Sequence, residues 1–443
     1  MRRFNRPGCE GHGFRFHGGS FGQALPRMTL EERTAVTTRR ERWRSLCAGA
    51  IETAGNTFLL LVATRAFSAG ATLKAWVAAG GSIGLLLSPV TINWVQSTGR
   101  RPAAVASRML ACSAVAMSLA ALMPASWGAA FAACCVLALA MPFSSIPLLT
   151  QVYQDNYPAD RRGRLFSQAI VIRIAIAIAF GAVAGWWLDP LPRPGATGFL
   201  AACGAVLDAI PGRERWLVAA FSAAFAGAAW SVAGIPSSPL PAAAGSHPLH
   251  AMRYVWTDPV FRNALVAWML MGFANLAMLP LRVEYLGNPR HGLGMDATRI
   301  ALYTLVIPNM ARLLLSPVWG RLFDRMNFFA LRCTLNVGFA AGIAAFFTSN
   351  STAGLVLGAI VYGVSNAGGD VAWSLWTTKV APPERVADYM SVHTFLTGIR
   401  GVLAPFAAFW AIQHATPAQM GWGAGIMILA ATTLLLPDIR RRT

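Results

Sequence analysis

Long apolar runs recur along the whole sequence and constrain its fold more than any other feature. Each run has about 20 residues, enough for a helix to cross the ~30 Å hydrocarbon core of a bilayer. Only 12% of the residues are charged, against roughly 25% in soluble domains, so a soluble fold has too little polar surface to cover the rest. The sequence therefore predicts an all-α integral membrane protein with spans at 46–67, 74–96, 102–124, 127–153, 164–188, 216–235, 261–284, 297–319, 328–348, 353–376, 388–413 and 419–437.

The net charge of +19 is explained by the topology of these spans. Arginines cluster on alternate connections, whereas the third, ninth and eleventh connections contain neither Lys nor Arg. Cytoplasmic loops are enriched in these residues, so the sequence predicts a multi-pass protein of a bacterial inner membrane with both termini in the cytoplasm. Because no basic domain stands apart from the spans, we expect no nucleic-acid partner.

Internal repetition divides the spans into two sets of six. LLLSPV occurs at 85–90 and again at 313–318, and PADRRGRLFS at 158–167 aligns with PPERVADYMS at 382–391 at nearly the same offset. Such repeats indicate a duplicated bundle. The predicted organisation is two pseudo-symmetric six-helix bundles, with a disordered basic cytoplasmic tail at 1–44, one half at 45–235, a linker at 236–260, the second half at 261–437 and a basic tail at 438–443.

Two segments outside the predicted spans need a separate interpretation, one because it is polar and the other because it is short. Residues 1–27 are Gly- and Arg-rich and lack the apolar stretch of a secretory signal, and Met28 is an alternative start of the chain. The segment 196–210 is apolar but short and contains Asp208, so we expect it to lie at the membrane interface in an outer loop.

The loop after the eighth span carries the most specific motif. Its residues Gly320-Arg-Leu-Phe-Asp324-Arg325 resemble the G-x-L-x-D-R signature of the major facilitator superfamily, and the resemblance covers the chain from about residue 45 onwards. It implies a twelve-helix transporter fold. It also implies that this loop makes cytoplasmic contacts that lock one access state.

The equivalent loop of the first half departs from the signature. It keeps Gly99, Arg100 and Arg101 but has Gln96 where the family has an acid, so the resemblance implies a weaker lock there. Two further arginines, in the connections after the fourth and tenth spans, complete the implied gating set: Arg161 and Arg385. The proline that ends the drug-antiporter motif of the fifth span is absent, which does not favour drug export.

Two carboxyl groups fall inside predicted spans, Glu52 and Asp370. A charged side chain within a span is costly and faces the bundle interior, where desolvation favours proton uptake by a carboxyl group. Each acid therefore is a candidate for proton coupling or solute binding. The alternative is that each pairs with an arginine and only fixes helix packing. Asn366 and Trp373 lie beside Asp370 on the same helix and are candidate cavity residues.

Arginines also fall inside spans. Arg173 and Arg400 occupy equivalent helices of the two halves, where they suit an anionic solute, since the guanidinium group binds carboxylate or phosphate bidentately. Alternatively they neutralise Glu52 and Asp370. Arg312 lies nearer the loop, where it can snorkel or pair with Asp324. The asparagines either line the cavity or bond between helices: Asn56, Asn275, Asn309 and Asn336.

Motifs of catalysis and metal binding are absent from the sequence. It contains no Walker A pattern, no HExxH, no nucleophile elbow and no CxxC pair. Cys9, His12 and His17 are too scattered on the tail to predict a metal site. We therefore expect neither an enzyme nor a cofactor or metal.

The resemblance implies a secondary transporter that moves a small solute by alternating access. We expect it to be monomeric in the lipid bilayer and proton-coupled through Glu52 and Asp370. The alternative function is a membrane scaffold or assembly factor that kept the fold and lost transport, which the change at Gln96 favours.

Overall fold

The computed structural model describes residues 28–69, 71–188, 212–242, 247–287, 293–295, 299–300 and 302–440. Among them lie twelve long helices. They are α1 (Leu30–Thr53, a π-helical turn at Ala54–Phe58, and Leu59–Phe67), α2 (Ala71–Thr98), α3 (Pro102–Leu122), α4 (Gly128–Ser144 and Ile146–Asn156), α5 (Arg162–Leu188), α6 (Arg213–Ala233), α7 (Pro259–Gly287), α8 (a π-helical turn at Leu302–Val306, and Ile307–Arg325), α9 (Phe328–Thr348), α10 (Thr352–Leu375), α11 (Val386–Ala411) and α12 (Pro417–Thr433).

Eight of these helices are long and apolar enough to cross a membrane by length and composition: α2 to α7, α9 and α10. α1 and α8 carry π-helical turns and several charged residues, and α12 is only 17 residues long. Every predicted span coincides with a helix. The segment 196–210 lies outside the described residues.

The helices pack as two six-helix bundles. In the first, α1 packs against α5 and α6, and α4 against α2 and α3; in the second, α7 packs against α11 and α12, and α10 against α8 and α9. The bundles meet where α2 contacts α11 and where α5 contacts α8. We call the face that carries the connection between α6 and α7 the linker side.

The apolar core crosses from one bundle to the other on the linker side. Phe323, Phe328 and Trp376 of the second bundle belong to the same buried cluster as Phe221 and Phe225 of the first. The remaining core of the second bundle forms a separate cluster around Ile343 and Phe346. The two bundles are therefore joined by hydrophobic packing at one end.

The structure corrects the predicted N-terminal tail, because residues from Leu30 onwards are helical rather than disordered. Thr29 and Glu32 form a capping box at the start of α1, which satisfies free amides of the first turn. Within this basic segment Thr37 and Glu41 are buried. The segment has a low hydropathy because arginines and the buried acid Glu41 lie close together in it. The start of α1 was therefore predicted too late in the sequence.

The other predicted connections are also partly folded. The linker contains a 3₁₀ turn at His250–Met252 and a short helix at Arg253–Thr257, and the predicted C-terminal tail overlaps a 3₁₀ turn at Leu436–Arg440 that packs on α9. Asp438 in this turn is buried. These segments are thus held against the bundles at the linker side.

Candidate functional site

Glu52 of α1 forms an ion pair with Arg173 of α5. The carboxylate Oε2 lies 2.9 Å from the guanidinium Nε, and the two side chains are 38% and 30% exposed. Both residues lie near the middle of their helices, and the Nε–H is not aligned for a hydrogen bond. The sequence left two alternatives for Arg173, binding of an anionic solute and neutralisation of a buried acid. The contact that Arg173 makes in the structure is the second.

Asp370 of α10 pairs with Arg312 of α8 and not with Arg400, which corrects one predicted pairing. The carboxylate Oδ2 accepts hydrogen bonds from Nη2 at 2.7 Å and Nε at 3.1 Å. Arg312 also donates to Asn309 at 2.7 Å. The alternatives of snorkelling or pairing with Asp324 are wrong as well, because α8 packs directly against α10 and brings the guanidinium group to Asp370.

The two ion pairs lie on either side of the boundary where α5 contacts α8. Glu52 of the first half acts electrostatically on Arg312 of the second. One acid and one arginine from each half are thus assembled near mid-depth. Their charges sum to zero, so the assembly is stable inside an apolar bundle while each acid keeps a cationic partner.

A cavity of about 200 Å³ lies beside Arg173. Its walls come from α1, α3, α4 and α5 of the first half and α10 of the second, and its polar lining includes Arg44, Thr150, Tyr153 and Ser374. Trp373, a predicted cavity residue, forms part of the wall. The cavity therefore lies between the bundles and combines cationic, hydroxyl and aromatic groups.

Glu41 and Arg44 form a buried ion pair below this cavity that the sequence analysis did not single out. Arg44 donates to both carboxylate oxygens of Glu41, and Tyr153 of α4 donates to Glu41 Oε1 at 2.7 Å. Glu41 is 1% exposed. The two residues are three positions apart in the sequence, but the arginines around them indicated only membrane topology.

Other predicted cavity residues lie elsewhere. Arg400 is buried and donates to the backbone carbonyl of Trp268 in α7. Asn366 is half-buried one turn before Asp370. Asn275 accepts a hydrogen bond from Tyr362, and Asn336 donates to Thr432, so both bond between helices. The side chain of Asn56 lies outside the described residues.

Asp324 at the end of α8 caps the first turn of α5 across the boundary between the halves. Its carboxylate accepts from the backbone amides of Gly163 at 2.5 Å and Arg164 at 2.9 Å. A helix N-terminus carries partial positive charge, so the contact is an electrostatic bond as well as a cap. Lys379 lies nearby, and burial lowers the pKa of its ammonium group while Asp324 opposes that shift.

Glycines allow α5 and α8 to approach each other at this point. A Cβ atom added to Gly163 would lie 2.5 Å from the carbonyl oxygen of Gly320, and one added to Gly320 would lie 2.6 Å from Cβ of Ser167. Such distances are too short for a side chain of any size. Gly320, a predicted gating residue, therefore allows the close contact between α5 and α8.

In the first half, residues of α2 itself bond to α11. Gln96 donates from Nε2 to Asp388 at 2.7 Å, and Ser88 bonds to Thr394 at 2.6 Å. The acid missing at position 96 is supplied by Asp388 of the facing helix. His250 of the linker lies 3.8 Å from the same carboxylate.

The remaining predicted gating residues do not join the bundles directly. Gly99 has a φ of 61° and ends α2, and Arg100 lies over the ring of Trp94 in its own helix. Arg385 pairs with Asp388 at 3.4 Å and donates to the carbonyl of Ala242. Three arginines are exposed at the linker side: Arg101, Arg161 and Arg325.

The hydrogen bonds Ser88–Thr394 and Gln96–Asp388 join side chains of the two bundles, and both lie on the linker side. No group of three or more His, Cys, Asp and Glu residues suited to a metal ion occurs among the residues that were described. Cys9, His12 and His17 lie outside them. The site thus consists of two ion pairs and a cavity, and the two bundles are joined to each other on its linker side.

The sequence profile of the Major Facilitator Superfamily matches residues 172–405, which is more than half of the chain. The chain belongs to the major facilitator superfamily. The predicted family, the twelve-helix fold and the integral membrane character are thereby confirmed.

Solved structures of this superfamily have the same fold. A bacterial homologue of the iron transporter ferroportin in an outward-facing state matches with a TM-score of 0.68 at 16% identity, over 94% of this chain and 100% of that one. A variant of the E. coli fucose:proton symporter FucP gives 0.66 at 12%, over 93% and 98%. The human organic anion transporter TETRAN gives 0.64 at 14%, over 93% and 100%. No curated protein matches the sequence.

Proposed function

We propose that this protein is a secondary active transporter that moves a small solute by alternating access and couples the movement to protons. The observation that carries the proposal is the placement of one acid–arginine pair from each half beside a cavity between the halves. Superfamily members carry small solutes across a lipid bilayer, and one of the similar structures is a fucose:proton symporter. A monomer in a bacterial inner membrane, with the linker side in the cytoplasm, fits the arginine pattern.

Glu52 is the proposed proton carrier. Its partner Arg173 lines the cavity, and both side chains are partly exposed, so water from the cavity can reach the carboxylate. Protonation of Glu52 cancels its attraction for Arg173. The guanidinium group, which keeps its charge, is then free to contact a solute in the cavity.

Asp370 is the proposed second coupling group. It is less exposed than Glu52 and holds two hydrogen bonds from Arg312. Because Glu52 also acts on Arg312, loss of charge on Glu52 strengthens the remaining hold of Arg312 on Asp370. Proton binding in one half thereby changes the electrostatics of the other half.

Alternating access is proposed to act through the two linker-side contacts. The Asp324 cap on α5 and the Gln96–Asp388 bond both join one bundle to the other. Breaking them lets the bundles rock apart on this side, as in other transporters built from repeats. In this proposal the inter-bundle bonds belong to a state that is closed at the linker side.

The test uses the full chain in proteoliposomes with an internal pH dye. Pools of organic anions, sugars, amino acids and cationic drugs are added to wild type, Glu52→Gln and Asp370→Asn. We expect a solute-dependent proton flux in wild type that falls at least tenfold in Glu52→Gln. Glu31→Gln, an exposed acid at the start of α1, is the matched control and keeps the flux.

A solute flux without proton movement would retain the transporter and reject the coupling. Silence across all pools, from protein that is shown to be folded, would instead favour the scaffold alternative. The cavity between the halves weighs against that alternative, since a scaffold needs no solvent-sized space beside Arg173.

A further inference from the structure

The interior of the second bundle contains a cluster of cationic and N–H groups, here called the Arg332 cluster. Its members lie on α7, α9 and α11 and directly after the end of α10, and they are Trp268, Arg332, Trp376, His393 and Arg400. It lies behind Trp373, which contacts His393 at a ring distance of 5.5 Å and lines the cavity on its other side. The cluster is therefore separate from the cavity but adjacent to it.

Both arginines of the cluster are buried without an acid. Arg332 is 2% exposed and Arg400 8%, and the charged neighbour that acts on Arg332 most strongly is Arg400 itself. Arg400 also acts on His393. No acid is paired with either arginine among the described ion pairs, which is the reverse of the arrangement at Arg173 and Arg312.

Partial compensation comes from neutral groups. Arg332 lies over the ring of Trp268 at 3.6 Å and donates from Nη2 to the sulfur of Met271. Arg400 donates from Nη1 to the Trp268 carbonyl. Ring faces and carbonyls offset only part of the cost of burying two like charges.

Several buried polar atoms of the cluster have no partner in the structure. They are Arg332 Nη1, Arg400 Nε, both ring nitrogens of His393, and the indole nitrogens of Trp268 and Trp376. Buried polar groups of native proteins are almost always hydrogen-bonded. A set of unsatisfied donors around two buried cations, without a carboxylate, has the chemistry of a site for an acceptor of negative charge.

We infer that the Arg332 cluster binds a small monovalent anion between Arg332 and Arg400. The chemistry is that of a compact acceptor, either a halide or a carboxylate group, because the guanidinium groups and indole N–H groups all donate. The anion neutralises the arginines of the cluster, as Asp370 neutralises Arg312 and Glu52 neutralises Arg173. This binding goes beyond the proposed transport and does not require it.

The test measures the midpoint of thermal unfolding of the full chain in detergent. Chloride, nitrate and formate are each titrated into gluconate buffer at constant ionic strength. A ligand that binds only the folded state raises the midpoint with the logarithm of its concentration once its Kd is exceeded. We expect this dependence for chloride in wild type, and a response to formate alone would identify the acceptor as a carboxylate.

Substitutions locate the response. Arg332→Gln and Arg400→Gln should weaken chloride binding. We expect the chloride concentration at which the midpoint begins to rise to be at least tenfold higher in each variant than in wild type. Arg282→Gln is the matched control, since Arg282 is buried on α7 against Tyr362 and lies outside the cluster. Arg400→Lys keeps the charge and provides a folded comparison where Arg400→Gln does not fold.

A wild-type midpoint that is the same in gluconate, chloride, nitrate and formate would overturn the inference. An equal response in wild type and in both cluster variants would also overturn it, since it would come from general salt effects.

Discussion

Gln96 and Asp388 bring α2 and α11 together through one hydrogen bond of 2.7 Å. The pair inverts the usual assignment of the family signature, because position 96 of α2 supplies the amide and the facing helix α11 supplies the acid. Asp388 is fully buried. It also accepts from Arg385 and lies near His250, so a single carboxylate connects two bundles and the linker.

Replacing the amide of Gln96 by a carboxylate should break the contact between α2 and α11. In Gln96→Glu, two carboxylates face each other at hydrogen-bond distance, and the loss of a bond to a charged group is worth about 1.5–3 kcal/mol. We expect maleimide to label Ser391→Cys, which is buried beside this contact, roughly tenfold faster from the linker side, a change that corresponds to about 1.4 kcal/mol.

The control for that measurement is Ser97→Glu, which adds the same charge at the neighbouring exposed position. Labelling of the native cysteines is measured in the parent protein, which keeps Ser391, and is subtracted. Equal labelling rates in Gln96→Glu and Ser97→Glu would mean that the contact does not hold the linker side closed.

A methyl group between α5 and α8 should also prevent closure. Gly163→Ala and Gly320→Ala place Cβ against backbone or Ser167, and overpacking of this kind costs about 1–3 kcal/mol. We expect a lower midpoint of thermal unfolding and increased accessibility of the linker side to maleimide. Gly423→Ala is the matched control, because a Cβ there has nothing within 4 Å and should leave both measurements unchanged.

The two mid-depth ion pairs should differ in their contributions to stability. Arg312 and Asp370 are 13% and 21% exposed, and breaking a buried pair by removing one partner costs about 3–5 kcal/mol. Arg173 and Glu52 are more exposed, so Arg173→Gln should cost less than Arg312→Gln. Denaturant or thermal unfolding of Arg312→Gln and Arg173→Gln measures the difference.

The double variant Arg312→Gln/Asp370→Asn tests the cause of that difference. It removes both charges, so it should recover most of the stability lost in Arg312→Gln. Additive losses in the double variant would show that the two side chains contribute independently.

Gly272 of α7 lies directly under the guanidinium group of Arg400, and an added Cβ would collide with it. Gly272→Ala should therefore displace Arg400 and lower stability by about 1–3 kcal/mol. Gly425→Ala, with its nearest neighbour at 3.8 Å, is the comparison. Thermal unfolding of both variants in the same detergent measures the effect, and an unchanged Gly272→Ala would contradict the described position of Arg400.

The sequence predicted the twelve helices because apolar length is a property of each segment alone. It identified Glu52, Asp370 and Arg173 as charges that face the interior, whereas it expected Arg312 to snorkel or to pair with Asp324. Their partners could not be predicted fully, since pairing depends on which helices are neighbours. Asp370 meets Arg312 because α10 packs on α8, whereas Arg400 of α11 turns towards α7.

At two places the local charge of the sequence did not indicate that a charged side chain is buried. The first turns of α1 have the composition of an exposed tail, yet Glu41 is buried because Arg44 and Tyr153 satisfy it. Arg332 stands near the end of a span, where an arginine ordinarily snorkels, but Trp268 and the surrounding helices cover it. In both cases tertiary partners decided the outcome, and hydropathy contains no information about them.

The pairing of Glu52 with Arg173 determines how the proposed cycle responds to voltage. A guanidinium group does not release its proton, so one proton carried on Glu52 with an uncharged solute moves one net charge per turnover. Such a cycle is electrogenic, and a membrane potential contributes ~2.3 kcal/mol per 100 mV to it. A monoanionic solute held by Arg173 makes the same step electrically silent, so the voltage dependence of the flux reveals the charge of the solute.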